Sequence, residues 1–382
     1  MRVLMVLGRS AGGVGSHVDG LVAGLRAEGH DVQVVTAGST ADTFGWADAH
    51  RLWPVHPGVR APRGLVDWHR VMRLAGTVDV VHAHGHQAAV VAAVAVARAR
   101  PRPRLVVSLH NDLPPTGTSA VGRLRGLAAR STVGWALRRA DLVTGASEDL
   151  VELAESLGAR RSALAHVPSA AVTGLLGADR LGPADRASLL AGAGVPSDGP
   201  VVLTVSRIAP QKDLPTLVAA ARLAATPAAW VVVGDGDERL RTRLEEETGG
   251  LRPGEGGATR ASVHLIGGRD DVPSWLRVAD VFVLTSRWEA RALVVQEAMA
   301  AGVPVVVTRT GGLPGLVGGA GLLVPVGDSA ATAAAVDRLL GDAAERARLG
   351  AAGRALAASW GSPADEARRW VGRYARDPLG MT

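Results

Sequence analysis

The chain has 382 residues, 47% of them apolar and 20% charged, with no cysteine and a formal net charge of +6. Such a composition fits a globular protein of two to three domains and excludes both disulfides and thiolate metal sites. The positive balance suits anionic partners (phosphates, nucleic acid or an acidic membrane surface), and it equally suits a soluble protein rich in Arg because it is poor in Lys. The opening run MRVLMVLG is too short for a signal peptide, and the longest apolar run, 88–97, falls well below the roughly 20 residues of a transmembrane helix. The expected location is cytoplasmic, with association at the inner face of the membrane open. Aromatic residues are only 3%, so cores of Ala, Val and Leu are expected.

Short Val/Leu runs alternate with longer Ala/Leu/Arg segments along the whole chain. The predicted strands are RVLMVLG, DVQVVTAG, VDVVHAHG, RLVVSLH and DLVTGAS, then PVVLTVSR, AWVVVGDG, SVHLIGG, DVFVLTS and PVVVTRTG. Runs this continuously apolar fit strands buried on both faces of parallel sheets, and the alternation implies right-handed βαβ units. The series restarts near residue 200, after LGPADRASLLAGAGVPSDGP (181–200), which the Gly and Pro content marks as a linker. The expected fold class is therefore α/β, two Rossmann-like doubly wound domains facing a central cleft, where ligands bind such sheets.

Four stretches could carry chemistry. After the first strand comes GRSAGGVGSHVDG, in which Gly12, Gly13 and Gly15 could bring backbone amides to an anion at a helix N-terminus. The spacing is not GxGxxG, and a tight turn explains it as well. The segment SRIAPQKDLP holds Arg207 and Lys212, the only lysine in the chain, on a predicted loop at the carboxyl end of a parallel strand. Two such cations could neutralise a diphosphate, Arg by its planar fork and Lys as a point charge, or could be solvated loop residues. In SRWEARALVVQEAMAAGVPVV, Glu289 follows a strand and Glu297 lies within a helix expected to begin near Leu293. Carboxylates there could accept sugar and ribose hydroxyls around a phosphate at the helix N-terminus, or could simply favour the helix dipole and solvent. His110 ends a fourth strand. His82, His84 and His86 in VHAHGHQ alternate toward one strand face, but no carboxylate or Cys completes a metal site, so no metal is expected. GDGD (234–237) is taken as turn chemistry.

Taken together, the order Gly-rich loop, His, Arg…Lys, Glu-x7-Glu resembles the retaining glycosyltransferases of the GT-B fold, family GT4, over nearly the whole chain. VSRIAPQKDLPTLVAA looks like that family's GRLxxxKGxxxLLxA block, VVVGDGDERLRTRLEEE like its GDG block, and EARALVVQEAMAAGVPVVVTRTGG like its paired-Glu block. ASWGSPADEARRWVGRYAR is similar to the helix that crosses back to the first domain, with Trp360 opening it. The resemblance implies an acceptor-binding domain over 1–185, a nucleotide-sugar domain over 200–357 and a crossing helix over 358–382. It also implies a metal-independent hexosyltransferase without cofactor, moving sugar from a UDP- or GDP-linked donor to a hydroxyl of a lipid, small molecule or glycan, and no nucleic-acid partner.

The same resemblance assigns roles. Arg207 and Lys212 would hold the diphosphate, Glu289 the donor sugar and Glu297 the ribose. Amides near Leu293 and Val294, with Gly12 and Gly13, would meet the distal phosphate. Gly268 and Arg269 would line the base pocket, and His110 would sit by the reacting centre. Departures are Ala290, Arg291 and Ala292 in place of the family's Gly-Phe-Gly, HVPSAAV without its Asn, and Gly315 in place of Glu. Ala290 and Ala292 would be strained if those positions need positive φ. A nucleotide-sugar epimerase on the same fold and a non-catalytic nucleotide- or sugar-binding protein are the alternatives, the altered loop favouring the second. The acceptor is expected to be set by 111–139, whose basic, apolar stretch could lie on an anionic membrane or form an ordinary amphipathic helix.

Overall fold

The computed structural model describes residues 1–10, 12–53, 62–113, 119–249 and 261–375. Among the stretches singled out above, Ala11, 114–118 and 376–382 lie outside the described residues. The chain divides into two units, one of Met1–Ala170 with Gly361–Thr382, the other of Ala171–Trp360.

The first unit runs β1 (Arg2–Leu7), α1 (Gly13–Ala27), β2 (Asp31–Val35), α2 (Gly38–Thr43), α3 (Pro62–Ala75), β3 (Val80–His84), α4 (His86–Arg98), β4 (Arg104–Leu109), α5 (Ala120–Leu137), β5 (Leu142–Gly145), α6 (Glu148–Ser156) and β6 (Ser162–Leu164). Its sheet is wholly parallel in the order β2-β1-β3-β4-β5-β6. The direction of winding reverses between β1 and β3.

The second unit runs α7 (Val172–Leu176), α8 (Pro183–Gly192), β7 (Val201–Val205), α9 (Leu214–Leu223), β8 (Ala228–Val233), α10 (Glu238–Thr248), β9 (Ala261–Leu265), α11 (Val272–Val278), β10 (Val281–Leu284), α12 (Leu293–Ala300), β11 (Val305–Thr308), α13 (Leu313–Val317), β12 (Gly321–Val324), α14 (Ser329–Gly341) and α15 (Ala343–Ala358). Its order is β12-β11-β10-β7-β8-β9, again parallel, with the reversal between β7 and β10. In doubly wound sheets such reversals open a crevice at the carboxyl ends of the two diverging strands.

The last helix, α16 (Pro363–Tyr374), belongs to the first unit. Ser362 and Asp365 form a reciprocal capping box around Pro363, which tolerates the first turn because its missing N–H would be unpaired there. Ala367, Trp370 and Tyr374 recur at helical spacing and are buried in the core formed by β1, α1 and β2. The close approach of α16 to α1 depends on Gly24, where an added Cβ would lie 3.1 Å from the Ala367 Cβ. Trp360 does not open this helix, as the resemblance implied. It ends the second unit, and Ser362 begins α16.

Two further expectations are corrected. The stretch 181–200 is not a free linker: α8 buries Leu190 completely, and Arg186 donates to the Gly199 carbonyl at 2.7 Å. The second unit thus starts at Ala171, and residues 171–185 do not belong to the first domain, because Val172 and Leu175 complete the core under β7 and β10. The cores are indeed Ala, Val and Leu, but the few aromatics are concentrated inside them: Trp53, Trp230, Trp275 and Trp370 are each at most 2% exposed. A buried Trp contributes about 150–250 Å² of covered surface, which compensates for small neighbours.

Candidate active site

In the second unit the residues expected to handle a diphosphate and a sugar meet at the winding reversal. Lys212 lies in the short 3₁₀ turn Pro210–Lys212 after β7, and Glu289 in the loop after β10, the neighbouring strand. The Lys212 ammonium donates to the Glu289 carboxylate, forming an ion pair with side chains only 16% and 11% exposed. Ser286 Oγ donates to the same carboxylate oxygen at 2.7 Å. Two hydrogen bonds hold the loops together. The Arg287 N–H donates to the Gln211 carbonyl at 2.8 Å, and the Gln211 side-chain amide donates to the Trp288 carbonyl at 2.7 Å. Glu289 is fixed from the other side by Gly311, whose φ of +49° and close approach to the Glu289 carbonyl exclude a side chain.

Arg207 is exposed at the end of β7. Beside it, the GDGD stretch is more than a turn. Ile208 and Gly236 form a parallel bridge that prolongs the β7–β8 pairing, and a Cβ at Gly234 or Gly236 would overlap the Ser206 or Ile208 carbonyl. Asp235 accepts from the Gly268 N–H at 2.8 Å and pairs with Arg241, while Asp237 caps α10. Asp235 thus positions the Gly268–Arg269 segment. Arg269 makes a two-pronged pair with Asp271 at 2.9–3.0 Å, and that carboxylate raises its already high pKa. Leu293 and Val294 form the first turn of α12, with Ala292 as the N-cap residue and Glu297 half-buried one turn on.

The altered loop is unstrained. Ala292 has φ −65° and Ala290 does not have a positive φ; among the described residues the one non-glycine with positive φ is Asp213, at +48°. That is where the family block carries Gly after Lys, a departure sequence reading passed over. Asp accepts this conformation better than most residues, and its buried carboxylate faces the Arg287 guanidinium at 3.4 Å. Arg291 does not simply face solvent: its guanidinium stands 5.5 Å from the Trp360 ring centroid.

In the first unit the Gly-rich turn divides into two functions. Gly12 is the N-cap of α1 with no atom within 4 Å of an added Cβ, and Gly13 is exposed beside it. Gly15 is instead a packing residue, because an added Cβ would overlap the Phe44 ring. Its N–H is already used by the Ser10 hydroxyl at 3.1 Å and the Gly12 carbonyl at 2.9 Å.

The histidines behave differently from the strand-face expectation. His86 lies in the first turn of α4, its Nε2 2.7 Å from the Asn111 carbonyl, so it leaves the cluster. His82 and His84 share a face of β3, with ring centroids 4.0 Å apart. His84 Nδ1 lies 3.0 Å from His110 Nε2, after β4, and the two rings stack. His17, from α1, completes the group with centroids 5.8 Å from His84 and 5.5 Å from His110. Its only sequence signal was its place one turn after Gly13. All four rings are buried, and desolvation depresses their pKa values, His17 to about 4 and His110 to about 3. They are therefore neutral at pH 7.

Comparison with known proteins bears on the family of the chain. Residues 12–170 match the family described as "Glycosyl transferase 4-like domain" and residues 199–342 the family "Glycosyl transferases group 1". A lipopolysaccharide core biosynthesis glycosyltransferase, LpsE, of Rhizobium meliloti (strain 1021) is 32% identical over 182 residues, 47% of this chain and 49% of the relative. A D-inositol 3-phosphate glycosyltransferase of Streptomyces scabiei (strain 87.22) is 35% identical over 205 residues, 48% of this chain and 43% of the relative. The chain thus matches about half the length of these curated relatives. Among solved structures, Anabaena Alr3699/HepE in complex with UDP superposes with a TM-score of 0.80 at 22% identity, over 98% of this chain and 99% of that one. Sucrose-phosphate synthase from Thermosynechococcus elongatus gives 0.75 at 22% identity, over 98% of each chain. Two six-stranded parallel sheets and the glycosyltransferase family matches over residues 12–170 and 199–342 lead to one assignment: the chain belongs to the GT4-type glycosyltransferases of the GT-B fold.

Proposed function

We propose that this protein transfers a sugar, with retention of configuration and without a metal ion, from a nucleotide-diphosphate sugar to a hydroxyl acceptor. The observation that carries the reading is the Lys212–Glu289 pair at the reversal between β7 and β10. Cleaving the donor's glycosidic bond places negative charge on the departing diphosphate and oxocarbenium character on the sugar. Lys212 would meet that negative charge together with Arg207 and the N–H groups at Leu293 and Val294, all fixed before reaction. Glu289, released from Lys212 by the incoming phosphate, would accept hydrogen bonds from the sugar hydroxyls, and Glu297 would hold the ribose. Gly268 and Arg269 would line the base pocket. For the first unit, taken by itself, the proposal is that Gly12 and Gly13 bind phosphate and that His110 serves the transfer.

A UDP-linked donor is favoured because the Anabaena protein of the same fold was solved with UDP and with UDP-glucose. Ala290 and Ala292 fit their loop without a positive φ, so backbone strain lends no support to a non-catalytic binding protein. We further propose an acceptor held at an acidic lipid surface. Most of α5 from 121 to 132 is solvent-exposed, and it shows Val121, Leu124 and Leu127, each at least 59% exposed, among Arg123, Arg125 and Arg130. No described helix is long and apolar enough to cross a membrane.

The test is calorimetric titration of UDP, GDP, ADP and dTDP, without divalent metal, into wild type and Lys212→Ala. Binding of one nucleotide that is lost in the variant supports the diphosphate assignment and identifies the base. A folded wild type that binds none of the four overturns it.

A further inference from the structure

We propose that His17, His84 and His110 bind one borderline transition-metal ion, of the Zn²⁺, Co²⁺ or Ni²⁺ class, through three imidazole nitrogens at the winding reversal of the first unit. One ring nitrogen from each residue lies within 4.8 Å of the other two. The ring nitrogens of a tetrahedral three-histidine zinc site stand about 3.3 Å apart, from Zn–N bonds near 2.05 Å. His84 Nδ1 and His110 Nε2, at 3.0 Å, are already near that spacing. His17 has to close by up to about 1.5 Å, which falls within the reach of a side-chain rotation.

One nitrogen marks the site independently of the spacing. His17 Nε2 is buried and has no hydrogen-bond partner among the described residues. Buried polar atoms in native proteins are nearly always paired, and an orphan calls for an explanation. On a ring that favours borderline ions and packs against His84 and His110, it points to a cation as the missing partner.

The scaffold fits a held ion. His17 comes from α1, His84 from the last position of β3, and His110 follows β4, so three rigid elements supply one ligand each. His82, against His84, is tied to Tyr374 and Ser108 at 2.7 and 2.8 Å and forms a fixed wall rather than a fourth ligand. Three imidazoles leave one coordination position for water or a small anion. The inference does not rest on the transfer reading. If His110 serves transfer as proposed, occupancy should also slow turnover reversibly.

The experiment uses untagged, chelator-stripped full-length protein. Co²⁺ is titrated in and read by its visible d–d absorption, and Zn²⁺ is followed by calorimetry, both without nucleotide. The expected result is one equivalent bound at micromolar or tighter affinity. His17→Gln, His84→Gln and His110→Gln should each weaken binding by about tenfold or more, and His264→Gln in the other unit should not. Because an altered buried histidine could fail to fold, wild type is also examined by NMR: Co²⁺ should displace the ring signals of His17, His84 and His110 and spare His264. Absence of stoichiometric binding, or paramagnetic shifts centred on other histidines, would overturn the proposal.

Discussion

The phenol of Tyr374 lies 2.7 Å from Nδ1 of His82, a hydrogen bond between side chains 292 positions apart. From His82 the chain continues through Ser108 at 2.8 Å to Thr144 at 2.7 Å, so α16 is bonded into the middle of the first sheet. Burial raises the Tyr374 pKa well above its ordinary value, which keeps the phenol protonated throughout the physiological range. Replacing Tyr374 by Phe leaves the His82 nitrogen buried and unpaired, at an expected cost of about 1–3 kcal/mol. Denaturant unfolding of Tyr374→Phe checks this; an unchanged midpoint would show that the bond contributes nothing net.

The buried histidines give stability a pH dependence with a definite sign. His17, with its pKa lowered to about 4, and His110, lowered to about 3, take up protons in the unfolded chain near pH 6.5 but not in the folded one. Stability should therefore be level above pH 7 and fall as pH drops from about 6.5 toward 4, by up to about 1.4 kcal/mol per pH unit for each such group. His82 and His84 add in the same direction, while Arg373 and Glu366 on α16 are the nearby charged groups. Thermal unfolding of wild type and His17→Gln across this range is the check, the variant showing the shallower slope.

Glu289 and Lys212 should separate binding from turnover. Glu289→Gln removes the charge that engages Lys212 in the free protein. Affinity for the nucleoside diphosphate should stay level or rise, while kcat falls by about 10²–10³, on the scale of a lost preorganised contact. A parallel loss of affinity would mean that Glu289 acts mainly by positioning the Lys212 loop.

Asp213 offers a test of backbone strain. At φ +48° the residue occupies the left-handed region, and its pair with the largely exposed Arg287 compensates little. Asp213→Gly should raise stability by about 1 kcal/mol, and Asp213→Val should lower it by more than that. The melting temperatures of the two variants decide the matter.

The two glycines of the first turn should respond in opposite ways. Gly15→Ala drives a methyl into Phe44 and should destabilise by about 1–3 kcal/mol. Gly12→Ala meets open space at φ −145°, so its melting temperature should be unchanged. A loss of nucleotide affinity in Gly12→Ala alone would then report a ligand that needs the space.

Ten of the twelve strands among the described residues were legible in the sequence, because a strand covered on both faces must be continuously apolar. The two that escaped, β6 and β12, are the outermost strands of their sheets. They are three and four residues long and only partly buried, so neither length nor hydrophobicity marked them. Lys212, Glu289 and Leu293 could be placed on loops and a helix start because chemistry at the carboxyl ends of parallel strands recurs at fixed points in the chain order, whereas Gly268 was singled out by the family resemblance alone. Composition and periodicity thus determined the class of fold, and local spacing marked which loops could carry charge. The family resemblance implied that the last helix returns to the first domain, but three relationships were left to tertiary structure: the Lys212–Glu289 pair across 77 positions, the Tyr374–His82 bond that ties α16 into the first sheet, and the assembly of His17 with His84 and His110. Each depends on strand order rather than sequence distance, and strand order is settled only when the helices pack and bury their faces.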